Sequence, residues 1–217
     1  MKFTQSALAI ACGLALSVAA HGSYIGLEDA NNPDTFQVDD GSNTYDKGKN
    51  DYVNQSGSLI DAGDVVEQGR KVVSTSADKF RLTFTYLFKE AGWTNSFWYQ
   101  GSKLFETGTN SYGDSQSFIY DGGLNALDFA FQTRNYSNTL VNSLNNADND
   151  SLVAYDFFTY QGDGFILLGL DDTGAGPDDN HDDMIIKVTA TKVPEPGTLA
   201  LLGLGLAGLG LGYRRRS

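Results

Sequence analysis

From Phe80 to Phe88 the chain sets Phe80, Leu82, Phe84, Tyr86 and Phe88 on one side. Arg81, Thr83 and Thr85 fall on the other, with Lys89 just beyond. A two-residue period in aromatic and β-branched residues is the pleat of a strand with one buried face. A helix would scatter the same residues around its axis. Similar short runs stand at Leu59-Ile60, Val72-Val73, Ser96 to Tyr99, Ser117 to Tyr120, Ala126 to Phe131, Leu152 to Phe158, Phe165 to Leu170 and Met184 to Ala190. Turn signals separate them: Ala91-Gly92, Gly101-Ser102, Asp121-Gly122-Gly123 and Gly162-Asp163-Gly164. Many short strands at this spacing predict an all-β fold, an antiparallel β-sandwich of jelly-roll-like topology. No long helical pattern interrupts them, although Leu140 to Leu144 has the spacing of one helical turn. The polar stretch 28–58 fits a long loop, irregular edge structure or a partly ordered lead-in. No internal repeat is evident.

The two ends do not belong to this pattern. Met1-Lys2 is followed by an apolar run from Ala7 to Ala20 that ends in Val18-Ala19-Ala20. A positive start, a short apolar stretch and small residues make a secretory signal peptide, expected to form a helix during export and to be cleaved near Ala20. The run is too short to stay in a bilayer. Its Cys12 is the chain's one cysteine, and the residues before it make a poor lipoprotein signal. Cleavage therefore leaves a mature chain without disulfides, cysteine nucleophiles or thiolate metal sites.

At the other end, Val193-Pro194-Glu195-Pro196-Gly197 leads into a Leu, Ala and Gly stretch from Leu199 to Leu211. Tyr213-Arg214-Arg215-Arg216 follows. Proline fixes its own φ and offers no N–H, so Pro194, Glu195 and Pro196 stay extended and accessible. A hydrophobic helix is expected to follow. At about 1.5 Å per residue it is short for a hydrocarbon core of about 30 Å. Arg214, Arg215 and Arg216 put the C-terminus in the cytoplasm and the Pro-Glu-Pro element outside. This order of parts resembles the PEP-CTERM sorting signal. The resemblance implies recognition by an exosortase-type enzyme and cleavage near Pro194-Glu195-Pro196. The tail would then be a temporary inner-membrane anchor, and the product would reach the cell surface or the extracellular space.

The expected organisation is thus a signal peptide at 1–20, a β-sandwich at 21–193 and a sorting tail at 194–217. The middle is long enough for one core. It carries 26 acidic against 11 basic residues. That balance argues against nucleic acid and anionic lipid as partners and favours solubility, cation binding or both. Abundant aromatics and few prolines exclude a disordered acidic segment.

The most unusual stretch runs from Asp171 to Asp183, between two well-patterned strands. It holds six carboxylates in thirteen residues. Such density is repulsive unless the groups are solvated, paired or bound to a cation. Asp171, Asp172, Asp178, Asp179, Asn180, Asp182 and Asp183 offer the oxygen ligands that calcium takes. The spacing is not that of an EF-hand. A calcium site and a solvated acidic turn both fit, and His181 adds a transition metal as a lesser alternative.

A second resemblance covers residues 80 to 190. An aromatic strand precedes Ala91-Gly92-Trp93-Thr94-Asn95-Ser96-Phe97-Trp98-Tyr99. Near the end, Leu168-Gly169-Leu170-Asp171-Asp172 and Asp179-Asn180-His181-Asp182-Asp183 lead into Met184 to Val188. This is similar to the DUF4114-type domain of bacterial surface proteins. The resemblance implies a β fold in an extracellular setting rather than an activity.

Three weaker signals complete the reading. Asn145 to Asp150 alternates oxygen donors but lacks a glycine and a closing Glu, which fits an Asn/Asp turn better than a cation site. Trp93, Trp98 and Tyr99, with Tyr112, could form a platform for sugar rings, although strand aromatics more often fill cores. No Gly-x-Ser-x-Gly elbow, His-Glu-x-x-His or phosphate-binding glycine loop is present. Of the two histidines, His21 sits at the expected cleavage end, so a catalytic triad would have to use His181, and a glycosidase would need two facing carboxylates. The expectation is an exported, non-catalytic surface or extracellular-matrix protein, stabilised by calcium, its partners Sec export, signal peptidase and an exosortase. A carbohydrate-binding module for extracellular polysaccharide is the runner-up, and a hydrolase comes third.

Overall fold

The computed structural model describes residues 23–41, 49–153, 155–172 and 180–193. The signal segment and the hydrophobic tail, both expected as helices, lie outside the described residues. Eleven strands are formed: β1 (Ile25–Gln37), β2 (Val65–Ser74), β3 (Phe80–Phe88), β4 (Thr94–Tyr99), β5 (Ser102–Glu106), β6 (Ser115–Tyr120), β7 (Phe129–Arg134), β8 (Leu140–Asn145), β9 (Phe157–Gly162), β10 (Phe165–Leu170) and β11 (Met184–Lys192). The helical content described is two 3-10 turns, Tyr52–Asn54 and Asn146–Asp148.

The strands make two antiparallel sheets. One has seven strands in the order β1-β2-β9-β10-β11-β3-β6, the other four in the order β5-β4-β7-β8. Side chains of both meet in one aromatic core. Phe84 of the large sheet lies 5.1 Å from Phe97 and 4.9 Å from Tyr99 of the small one, ring centre to ring centre. Phe157 touches Phe129 and Phe131 across the same gap. The alternation of β3 is borne out: Phe80, Leu82 and Phe84 are wholly buried, and Arg81 is exposed.

The seven-stranded sheet is covered on its other face as well. Phe36, Val38, Tyr52 and Ile60 pack there against Val66, Leu87, Phe158, Leu167 and Ile185. That second cover explains the unbroken apolar runs Ile166-Leu167-Leu168 and Met184-Ile185-Ile186, buried on both faces. Residues 28–58 are therefore in part a true strand. β1 runs along the sheet edge with a register break between Asp29 and Asp34. The segment beyond it supplies the plugs Val38, Tyr52 and Ile60.

Four local expectations are corrected. Leu140 to Leu144 is not a helical turn but strand β8, an edge strand with only Leu144 of its leucines buried. Leu59-Ile60 forms no strand; Ile60 is an inserted plug. The strand expected from Leu152 begins only at Phe157, and Leu152 is exposed. The strand expected from Ala126 begins at Phe129.

Candidate functional site: the buried acidic segment

β10 and β11 are sequential neighbours in the sheet, paired from Phe165↔Thr189 to Leu170↔Met184. Residues 171–183 join their ends. A solvated turn would leave those carboxylates in water, yet the described part is enclosed. Asp171, His181 and Asp182 have no exposure, Asp172 has 1 % and Asn180 4 %. Asp178 and Asp179 lie outside the described residues.

The segment enters and leaves the sheet through backbone pairing. Asp171 donates its N–H to the Asp156 carbonyl at 3.1 Å, and Asp183 donates to that of Leu170 at 3.1 Å. Asp183 Oδ2 then accepts the Asp172 N–H at 2.7 Å. The Asp172 carboxylate accepts the Asn95 amide at 2.6 Å, and Asn95 Oδ1 accepts the Thr133 hydroxyl at 2.9 Å. This chain of charge-assisted bonds fastens the segment to the four-stranded sheet.

His181 takes a left-handed backbone, φ 59°, and turns its ring inward between Phe36 and Phe158. Its Nε2 meets Asp156, whose other oxygen accepts the Gln68 amide at 2.6 Å. A carboxylate on Nε2 fixes the ring's orientation. Both partners are buried, His181 at 0 % and Asp156 at 2 % exposure.

Asn180 and Asp182 face the strap at 49–52. Asn180 donates to the Lys49 carbonyl at 2.7 Å and accepts at its own carbonyl from Asn50 at 2.9 Å. Asp182 accepts the Asp51 N–H and, at its carbonyl, the Glu90 N–H at 3.2 Å. Burial, followed by the contact and charge of Glu90, pushes the Asp182 carboxyl up to about 9. Among the described residues, no three acidic or histidine side chains converge as a ready-made metal group. Any cation site here must draw on backbone oxygens, amides or residues 173–179.

The aromatic platform is divided. Tyr99 is 2 % exposed and packs on Phe84 and Phe118 in the core, beyond the reach of a sugar. Trp98, next in sequence, points to the opposite face and donates its Nε1–H to Ser96 at 2.9 Å. Trp93 precedes β4, about 16 Å along the strand from Trp98 at about 3.3 Å per residue. It meets Tyr136, a residue missed in the sequence, edge-on at 6.4 Å. Tyr112 is exposed.

Sequence reasoning also missed Gln68, Glu90, Asn95 and Asp156 as partners of the segment. Each comes from a different strand or loop, and no local spacing ties it to residues 171–183.

Comparison with known families identifies the other functional element. Residues 192–216 match the PEP-CTERM protein-sorting motif. No curated protein matches the chain. The class defined is an all-β protein of two antiparallel sheets carrying a C-terminal sorting motif. That motif implies export, processing by an exosortase and membrane-associated sorting before the surface is reached. Among the described residues, no helix is long and apolar enough to cross a membrane. Leu199 to Leu211, with Pro194, Glu195, Pro196, Arg214, Arg215 and Arg216, lies outside them.

Proposed function

We propose that this is an exported, non-catalytic β-sandwich protein of the cell surface or extracellular matrix, delivered through its PEP-CTERM tail and stabilised by calcium at residues 171–183. The match at residues 192–216 carries the delivery half of the reading. The enclosure of His181 and Asp156 supports the absence of catalysis, because the chain's best-placed histidine cannot meet a substrate. The DUF4114-type resemblance of residues 80 to 190 supports the surface setting. For calcium, the support is the burial of Asp171, Asp172, Asp182 and Asp183 together, with Asp178 and Asp179 within reach along the chain. Calcium completes its shell with carbonyl and amide oxygens, which such a segment provides.

The test of delivery uses the full chain in its host, with and without the exosortase. The expected result is a membrane-bound precursor that becomes a shorter surface or released form only when the enzyme is present. Charge reversal of Arg214, Arg215 and Arg216 should stop that conversion. Equal mass and location in all cases would overturn the reading.

A second reading, binding of a neutral polysaccharide, is favoured by one observation: Tyr136 is 83 % exposed and sits against Trp93. Retardation in polysaccharide-containing gels that is lost in Trp93→Ala would support it.

A further inference from the structure

Asp182, in the acidic segment, has a buried carboxylate oxygen without a donor. It has no solvent exposure. One oxygen accepts the Asp51 N–H, whereas Oδ1 is enclosed and receives no donor. Against this residue lies Glu90, early in the β3–β4 connection: its N–H donates to the Asp182 carbonyl at 3.2 Å, its carboxyl oxygen is 3.5 Å from the Asn180 amide, and its carboxyl group meets that of Asp182. Asp183 adds negative charge to the same place. Lys49 adds positive charge toward both Glu90 and Asp182, but its ammonium pairs with Asp51 and its side chain is half exposed, so it does not sit between the two carboxyl groups.

Two carboxylates in contact, one cut off from water, repel each other unless something positive joins them. The joint is a proton or a metal ion. The ligand atoms the pair itself offers are carboxylate oxygens, with the Asn180 amide 3.5 Å from Glu90, and so select a hard cation. Glu90 is exposed where Asp182 is not, so the pair has a solvent side through which an ion can enter.

We propose that Glu90 and Asp182 are joint ligands of a calcium ion, which clamps the acidic segment to the β3–β4 turn and the strap at 49–52. This rests on the calcium reading of residues 171–183 and adds Glu90, a ligand from outside that segment.

The experiment is thermal unfolding and calorimetric titration of the full chain in chelator, CaCl2 and MgCl2, for the wild type, Glu90→Gln and Asp179→Asn. In the wild type, calcium at about a hundredfold excess over Kd should raise Tm by about 5 °C or more, and magnesium should do much less. Glu90→Gln should weaken calcium binding about tenfold or more. Its Tm in chelator should equal or exceed that of the wild type, because the Gln amide supplies the donor that Asp182 lacks. That opposite pair of effects is not what a misfolded variant gives. A full calcium shift in Glu90→Gln, with loss in Asp179→Asn, would overturn the Glu90 assignment and leave the segment's calcium reading standing. No calcium shift in the wild type would overturn both.

Discussion

Two asparagines show how single side chains hold this fold where strands do not meet. Asn146 Oδ1 accepts the Val72 N–H at 2.8 Å, and its Nδ2 donates to the carbonyls of Val72 and Leu127. Asn149 likewise donates to the carbonyls of Arg70 and Phe157. Both are buried, 1 % and 0 % exposed. In sequence the stretch Asn145 to Asp150 reads as a turn, and a 3-10 turn is there. Its function as a backbone surrogate was illegible, because the peptide groups it serves lie 74 positions away in Val72. Replacing Asn146 by Ala strands those groups in the interior and should cost about 2–3 kcal/mol in chemical denaturation. Two tyrosines are the converse case. The hydroxyls of Tyr86 and Tyr99 are buried without a hydrogen-bond partner, and burial raises each to about 12. The unfolded phenol ionises near 10. The folded form therefore holds the proton more tightly. The stability this contributes is complete below about pH 10 and is lost as pH climbs through about 12. Alkaline unfolding followed by circular dichroism should thus set in between these values. The Tyr86→Phe, Tyr99→Phe double variant should move the midpoint upward, with no loss of stability at pH 7.

At the scale of elements, legibility followed burial. β3, β10 and β11 could be read because burial writes a strong pattern, period two where one face is covered and unbroken where both are. β1 was hidden because an edge strand with exposed Glu28, Asp29 and Asp34 carries few apolar residues. β8 was misread because Leu140, Val141 and Leu144 happen to match helical spacing, while pairing with β7 decides the structure. The register break of β1 rests on a partner that could have been suspected. Gly69 in β2 has φ +64°, and a β-carbon there would lie 2.1 Å from the Asn31 carbonyl oxygen. Backbone cannot yield as a side chain can. Gly69→Ala should lower stability by about 2–4 kcal/mol, through both the clash and the left-handed conformation. Gly101→Ala is the comparison: its φ is +73° but its β-carbon would meet open space, so it should cost about 1 kcal/mol. Equal costs in urea denaturation would show that the β1–β2 contact is looser than described.

Across the whole molecule, the sequence disclosed the C-terminal sorting motif more readily than the candidate site in the middle. Linear signals are read by enzymes as linear strings. The cluster is assembled from the buried Gln68, Asn95 and Asp156, the exposed Glu90 and residues 171–172 and 180–183, which only the two sheets bring together. The sorting motif starts at residue 192, the last residue of β11. The domain and its delivery signal thus abut with no spacer. Removing residues 194–217 should leave the Tm of the remaining chain unchanged within about 1 °C, by calorimetry, because the described core closes by residue 188. β11 is flanked on both sides, by β10 and by β3, and antiparallel to each. A pull on the chain beyond Val193 runs along the strand axis. It loads the hydrogen bonds to both neighbours together, in shear, instead of peeling them one at a time. A tail held at the membrane, as the proposed function has it, would moor the domain by a strand bonded along both edges, and drag would meet shear rather than peeling.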